Sequence, residues 1–129
     1  MIEITIPGRI PSKKNSRLTL PRGNRVINIP SNEHREWEKK ASASLYGVRR
    51  IEFVSGMRLV FFMPDNRKCD LTNKAESIMD LLVKYKIIKD DSWQFVGYIE
   101  LCSCGIDKIN PRVNIKIWEK TDGQEKDIL

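Results

Sequence analysis

The chain has 129 residues and a formal net charge of +6. That length suits one compact domain, and 40% hydrophobic residues with 31% charged residues exclude a wholly disordered chain. No apolar run approaches the ~18 residues of a membrane span, so we expect a cytoplasmic protein without a membrane partner. The basic balance favours a polyanionic partner.

The positive charge is concentrated near the N-terminus. Residues 1–50 carry +7, whereas residues 51–129 carry −1. The stretch 9–25 contains basic residues and no acid, so it is the best candidate for contact with nucleic-acid phosphates; a solvated flexible loop is the alternative. Its basic residues are Arg9, Lys13, Lys14, Arg17, Arg22 and Arg25.

Several other classes of site lack the residues they need. The single histidine, His34, excludes histidine-based catalysis and zinc sites built on several histidines. No glycine-rich phosphate loop is present, so no nucleotide cofactor is expected. Cys69, Cys102 and Cys104 make an odd number, and we expect reduced thiols packed as small apolar side chains.

The elements can be predicted in chain order. Residues 1–6 alternate as a strand, and residues 18–20 and 26–29 are short strand candidates. A helix follows from Ser31 or Asn32 to about Gly47. A central strand over 57–63 precedes a second helix over 73–85. Strands at 93–101 and 113–118 are the last predicted elements.

This order, roughly β, β, α, β, α, β, β, predicts an α/β fold with a small mixed sheet and two helices packed on it. We expect one domain over residues 1–118. Residues 119–129 are predicted to be a polar, frayed tail.

Acidic residues gather around the second predicted helix. At 3.6 residues per turn, Asn73, Glu76, Ser77 and Asp80 are predicted to share the side opposite the apolar stripe. Asp70 precedes this helix, and Asp90-Asp91 follow it. Clustered carboxylates repel each other unless a cation binds, and their oxygens suit Mg²⁺ or Mn²⁺. Such an ion supports phosphodiester hydrolysis.

Each acid also has an ordinary structural interpretation. Glu76 can act with Asn73 as a helix capping pair, and Asp80 can simply face solvent. Asp90 and Asp91 fall in a predicted turn, where aspartate is common. The order and spacing of the whole set favour a functional site.

These residues resemble the RusA-like family of Holliday-junction resolvases, small nucleases frequent in phages and prophages. The family pattern is Asp-x-Asp-Asn-x-x-Lys opening a helix, an aspartate four residues on, then Asp-Asp after a short turn. Here it is Asp70-Leu-Thr-Asn-Lys-Ala-Glu76, then Asp80, then Asp90-Asp91. The opening Ile4-Thr-Ile-Pro-Gly8 and the Pro11–Arg17 loop are also similar, and the resemblance covers residues 2–118.

The resemblance implies a homodimeric, Mg²⁺-dependent endonuclease that nicks two strands of a four-way DNA junction. Asp70 and Asp91 match metal-binding acids of the pattern, and Asn73 and Asp80 match two further positions. The acids expected to bind metal or act in catalysis are Asp70, Glu76, Asp80, Asp90 and Asp91.

Two departures from the pattern stand at Thr72 and Glu76, where the family has an acid and a lysine. Either Glu76 or Asp80 supplies the missing carboxylate while Lys74 or Lys68 replaces the cation, or the site is weak or inactive. We favour activity, since loss of function gives no reason to gain an acid here. Residues expected to contact DNA are Arg9, Lys13, Lys14, Arg17, Lys68 and Lys74.

Overall fold

The computed structural model describes residues 1–12, 17–22 and 25–121. Two strands precede the first helix in the prediction, whereas the structure has three, because both short candidates form strands. The elements are β1 (Ile2–Pro7), β2 (Arg17–Arg22), β3 (Arg25–Pro30), α1 (Asn32–Ser44), β4 (Val54–Met63), α2 (Leu71–Lys84), β5 (Ile99–Ile106) and β6 (Arg112–Glu119).

Four strands form one mixed sheet in the order β1-β6-β4-β5. The pairs β1–β6 and β6–β4 are antiparallel, and β4–β5 is parallel. A parallel pair needs a crossover connection, which α2 supplies between β4 and β5. The predicted interior position of β4 is confirmed. β2 and β3 form a separate antiparallel hairpin.

One face of the sheet forms the core with both helices. Alternate residues of a strand point to the same face, so β4 buries Met57, Leu59 and Phe61, and β6 buries Val113, Ile115 and Ile117. Trp37, Ala41 and Leu45 from α1, and Ile78, Leu81 and Leu82 from α2, belong to the same core. The predicted mixed sheet with two helices packed on it is confirmed.

The two helices begin differently. Ser31 caps α1 as predicted, since its Oγ accepts a hydrogen bond from the His34 backbone N–H at 3.1 Å. Asp70 occupies the corresponding position of α2 but makes no side-chain cap hydrogen bond. Its carboxylate is therefore not used to begin the helix.

The predicted strand over 93–101 is wrong in its first half. Residues 92–95 form a turn in which the Phe95 and Val96 N–H groups donate to the Ser92 carbonyl, and β5 begins at Ile99. Trp93 is 80% exposed, so its apolar character does not mark a strand. Among the described residues β5 pairs with β4 alone, and much of its surface is exposed. Its sequence therefore lacks the apolar alternation that would have predicted its residues 102–106.

Three smaller expectations can also be compared with the structure. The cysteines are free thiols, but Cys69 and Cys104 are exposed, so the expected burial of these two is wrong. Over the described ranges, none of the helices is both long and apolar enough to cross a membrane. Most of the predicted tail, residues 122–129, lies outside the described residues.

Candidate functional site

The acids that the sequence singled out lie on helix α2 or on the connections at its two ends. Residues 64–70 connect β4 to α2, and residues 85–98 connect α2 to β5. Glu76 and Asp80 lie on the helix, Asp70 precedes it, and Asp90 and Asp91 follow it. The position of each acid therefore depends on how this helix packs against the sheet.

One side of α2 forms an acidic groove with β5, about 590 Å³ in volume. Thr72, Glu76 and Asp80 are spaced by four residues, so they form a ridge along the helix. Asp91 joins them from the following connection, and Ile99 of β5 lies opposite. Glu76, Asp80 and Asp91 are exposed, so water and ligands can reach this groove.

A second cavity, the basic cleft, has a volume of about 340 Å³. Residues 9–12, the connection leading out of β4, the first turn of α2 and Glu33 of α1 line it. Asp70 and Asn73 lie here, with the Asn73 amide 3.5 Å from an Asp70 carboxylate oxygen. The cations of the cleft are Arg9, Arg67, Lys68 and Lys74.

The structure thus divides the predicted acidic cluster between two cavities. Asp70 lines the basic cleft, whereas Glu76, Asp80 and Asp91 line the acidic groove. Within residues 1–12, 17–22 and 25–121, no group of three or more His, Cys, Asp or Glu residues is arranged to hold a metal ion. The protein therefore offers separate carboxylates rather than a closed cage.

The prediction that Ser77 shares the polar side of α2 is wrong. Ser77 is 1% exposed, and its hydroxyl donates to the Pro11 carbonyl at 2.7 Å. Successive helical residues are separated by about 100°, so Ser77 turns inward while Glu76 remains outside. The buried hydroxyl is tolerated because it is hydrogen-bonded.

Two adjacent aspartates have different surroundings. The Ser92 hydroxyl donates to Asp90 at 2.7 Å. This bond, together with the backbone N–H groups of Asp91 and Ser92, lowers the pKa of Asp90 below its usual value. Asp90 thus stabilises the turn, while Asp91 lines the acidic groove.

Lys74, expected to contact DNA, lies at the base of the basic cleft. It is 6% exposed, and its Nζ donates to the Ile10 carbonyl at 2.5 Å. Burial lowers its pKa, an effect that Cys69 and Asp65 oppose and Arg9 reinforces. Its position four residues before Ile78 places it on the buried stripe, and this spacing was a signal available in the sequence.

Asp65 is a residue of the cleft that the sequence analysis missed. It forms an ion pair with Arg9 and accepts the Arg67 backbone N–H at 3.0 Å. The Arg9 hydrogen bond, followed by that from Arg67, holds the pKa of Asp65 below its usual value. A turn at Asp65 could be anticipated after Pro64, but its ion pair with a residue 56 positions away could not.

The remaining predicted DNA contacts have little structural description. Lys68 is exposed at the rim of the basic cleft. Lys13 and Lys14 lie outside the described residues, and Arg17 is described only through the backbone of β2. Residues 10 and 11, near the start of the acid-free segment 9–25, accept hydrogen bonds from α2.

The chain is similar in sequence to a known protein. No family model matches the chain. The chain is similar to RusA of Aquifex aeolicus. That protein, crossover junction endodeoxyribonuclease RusA of strain VF5, is 27% identical over 90 residues, which span 67% of this chain and 70% of the relative. The similarity supports a RusA-like relationship without assigning roles to single residues.

Proposed function

We propose that this chain is a Mg²⁺-dependent endodeoxyribonuclease that resolves four-way DNA junctions by paired nicking, in DNA recombination and repair. The observation that carries the proposal is the position of a basic cleft and an acidic groove on the same helix, α2. One cavity offers cations for DNA phosphates, and the other offers carboxylates for hydrolysis. The similarity to a crossover junction endodeoxyribonuclease supports this assignment.

The proposed roles follow the two cavities. Basic residues bind backbone phosphates and supply affinity that does not depend on base sequence. The acids bind metal and orient the attacking water, with Thr72 and Asn73 as supporting residues. The proposed phosphate contacts are Arg9, Lys13, Lys14, Arg17, Lys68 and Lys74. The proposed acids are Asp70, Glu76, Asp80, Asp90 and Asp91.

The acidic groove has donors suited to a hard cation. Mg²⁺ usually keeps several waters and is held by one or two carboxylates together with substrate phosphates. Asp91 with Glu76 or Asp80 meets that need without a third protein ligand. When bound, Mg²⁺ or Mn²⁺ lowers the pKa of a coordinated water and neutralises charge on phosphate oxygens.

We propose that the active form is a homodimer. Paired nicks in a four-way junction need two active sites, and a two-fold dimer presents two copies of the same surface. The resemblance in sequence supports this assembly.

The division of the acids between two cavities favours one alternative, a non-catalytic protein that binds branched DNA. It would bind a four-way junction in EDTA and cleave nothing in Mg²⁺ or Mn²⁺. A nuclease that prefers flaps, forks or single strands is distinguished by comparing cleavage of these substrates with that of the junction.

The deciding experiment compares wild-type protein and Asp70→Asn on a synthetic four-way junction with Mg²⁺. We expect paired nicks from the wild type and a loss of at least about 10²-fold in the variant, since even residues that only support a metal site cost up to that much. Glu119→Gln is the control, because Glu119 pairs with Arg49 at 2.5 Å and lines neither cavity. Equal nicking by Asp70→Asn and wild type would contradict the role of Asp70.

A further inference from the structure

The basic cleft has a buried cation at its base. Lys74 is 6% exposed, and it has no salt bridge to any carboxylate in the described part of the chain. Within the described residues its Nζ donates to the neutral Ile10 carbonyl, and an ammonium has three N–H donors. Burying a charge without an opposite charge is costly, so an anion bound in this cleft would stabilise the lysine.

The neighbouring charges favour an anion as well. Arg9 and Lys74 line the same cleft, together with Arg67 and Lys68. Glu33, Asp65 and Asp70 line the cleft too and offset part of this charge, which leaves one cation in excess. Of these acids, Asp65 already accepts hydrogen bonds from Arg9 and Arg67. A guanidinium has five N–H donors, so Arg9 can bind a second anion beside Asp65.

We propose that the basic cleft is a phosphate-binding subsite in which Lys74 and Arg9 bind one backbone phosphate of the DNA strand. The volume of about 340 Å³ falls within the range of small-ligand pockets. Lys68 at the rim adds charge where the strand enters. Asp70 lines the same cleft, so the bound phosphate lies beside the first acid of the motif.

This inference rests on the proposed DNA substrate and adds the place where the strand is held. A lysine and an arginine recognise a phosphodiester or a free phosphate by the same charge-assisted hydrogen bonds. We assign the subsite to DNA because residues 10–12, near the start of the acid-free basic segment 9–25, line the cleft. A site for free phosphate would need no adjoining basic segment.

The test measures junction binding in EDTA over a range of salt concentrations with full-length protein. Removing one phosphate contact lowers the slope of log affinity against log salt by about 0.9. We expect this change in Lys74→Met. The control is Lys84→Met on the same helix, since Lys84 is paired with Glu38 at 2.7 Å and lies outside the cleft. It should keep the wild-type slope.

A second variant avoids removing a buried side chain. Asn73→Asp adds a negative charge to the lining of the cleft, in the first turn of α2, where an acid is tolerated by the helix dipole. It should weaken junction binding at every salt concentration. Variants at 73 and 74 that are folded by circular dichroism and bind like Lys84→Met would overturn the subsite.

Inorganic phosphate distinguishes the two sources of the ligand. Thermal unfolding is compared in phosphate and in chloride of equal ionic strength, and stabilisation of the wild type but not of Lys74→Met shows an anion in the cleft. Such stabilisation with an unchanged salt slope assigns the cleft to free phosphate and overturns the DNA subsite. Wild-type protein that binds junctions but never nicks them refutes the nuclease and leaves the subsite intact.

Discussion

The two sides of α2 are built in different ways. On the acidic groove, Glu76 and Asp80 are exposed residues on a helical ridge. On the basic cleft, Lys74 and Ser77 are buried and donate to the carbonyls of Ile10 and Pro11. Residues one or two positions apart on α2 therefore have different surroundings. Those of the acidic groove face water, whereas Lys74 and Ser77 contact residues 10 and 11.

Because of this difference, we expect the exposed side of α2 to contribute mainly to catalysis and the buried side mainly to the stability of the fold. An exposed carboxylate is hydrated in the folded and unfolded states, so replacing it changes the free energy of unfolding little. A buried donor is matched to an acceptor, and removing it leaves a carbonyl without its partner. We expect substitutions in the acidic groove to affect nicking, and substitutions beneath the basic cleft to affect folding as well.

The largest expected effect is on catalysis. Asp91→Asn keeps the shape of the side chain but removes a charge from the acidic groove, and we expect nicking of a four-way junction to fall by about 10²-fold. Junction binding in EDTA and the urea midpoint should stay close to those of the wild type. Unchanged nicking by Asp91→Asn would refute the catalytic role of the acidic groove.

An intermediate effect is expected beneath the basic cleft. Ser77→Ala leaves the Pro11 carbonyl without its buried donor, so the free energy of unfolding should fall by about 1–3 kcal/mol in urea denaturation. The matched control is Ser42→Ala on α1, whose hydroxyl donates to the Lys39 carbonyl at 2.7 Å in a more exposed position. That change should stay within about 0.5 kcal/mol. Equal losses of the free energy of unfolding in Ser77→Ala and Ser42→Ala would refute this difference between a buried and a more exposed hydroxyl.

The smallest effect concerns the Arg9–Asp65 ion pair and depends on pH. The pKa of Asp65 is lowered from its ordinary 3.8 in the folded state, chiefly by Arg9. Its contribution to stability is therefore present above 3.8 and is lost as pH falls through the folded-state pKa.

We accordingly expect Asp65→Asn to be less stable than the wild type at pH 7, with a smaller difference at acidic pH below the ordinary 3.8. Urea denaturation at the two pH values measures this difference. Arg9→Gln removes the same pair and should show the same trend. A stability difference that does not change with pH would show that the pair adds nothing at this surface.

Much of the fold was predictable because the local patterns were strong. The apolar alternation of β4 and the stripe of α2 each fixed one buried face, and the Ser31 cap fixed the start of α1. The strand β5 was not located correctly, because an edge strand with exposed side chains carries little alternation.

The sequence alone determined which residues have the chemistry for a nuclease: acids around α2 and an acid-free basic segment before it. Only the tertiary structure decided how they are grouped. It turned Lys74 and Ser77 toward residues 10 and 11, paired Arg9 with Asp65, and placed Asp70 and Asp91 in the linings of different cavities. The physical reason is that helical spacing sets the direction of a side chain, whereas its partners come from segments some 60 residues away.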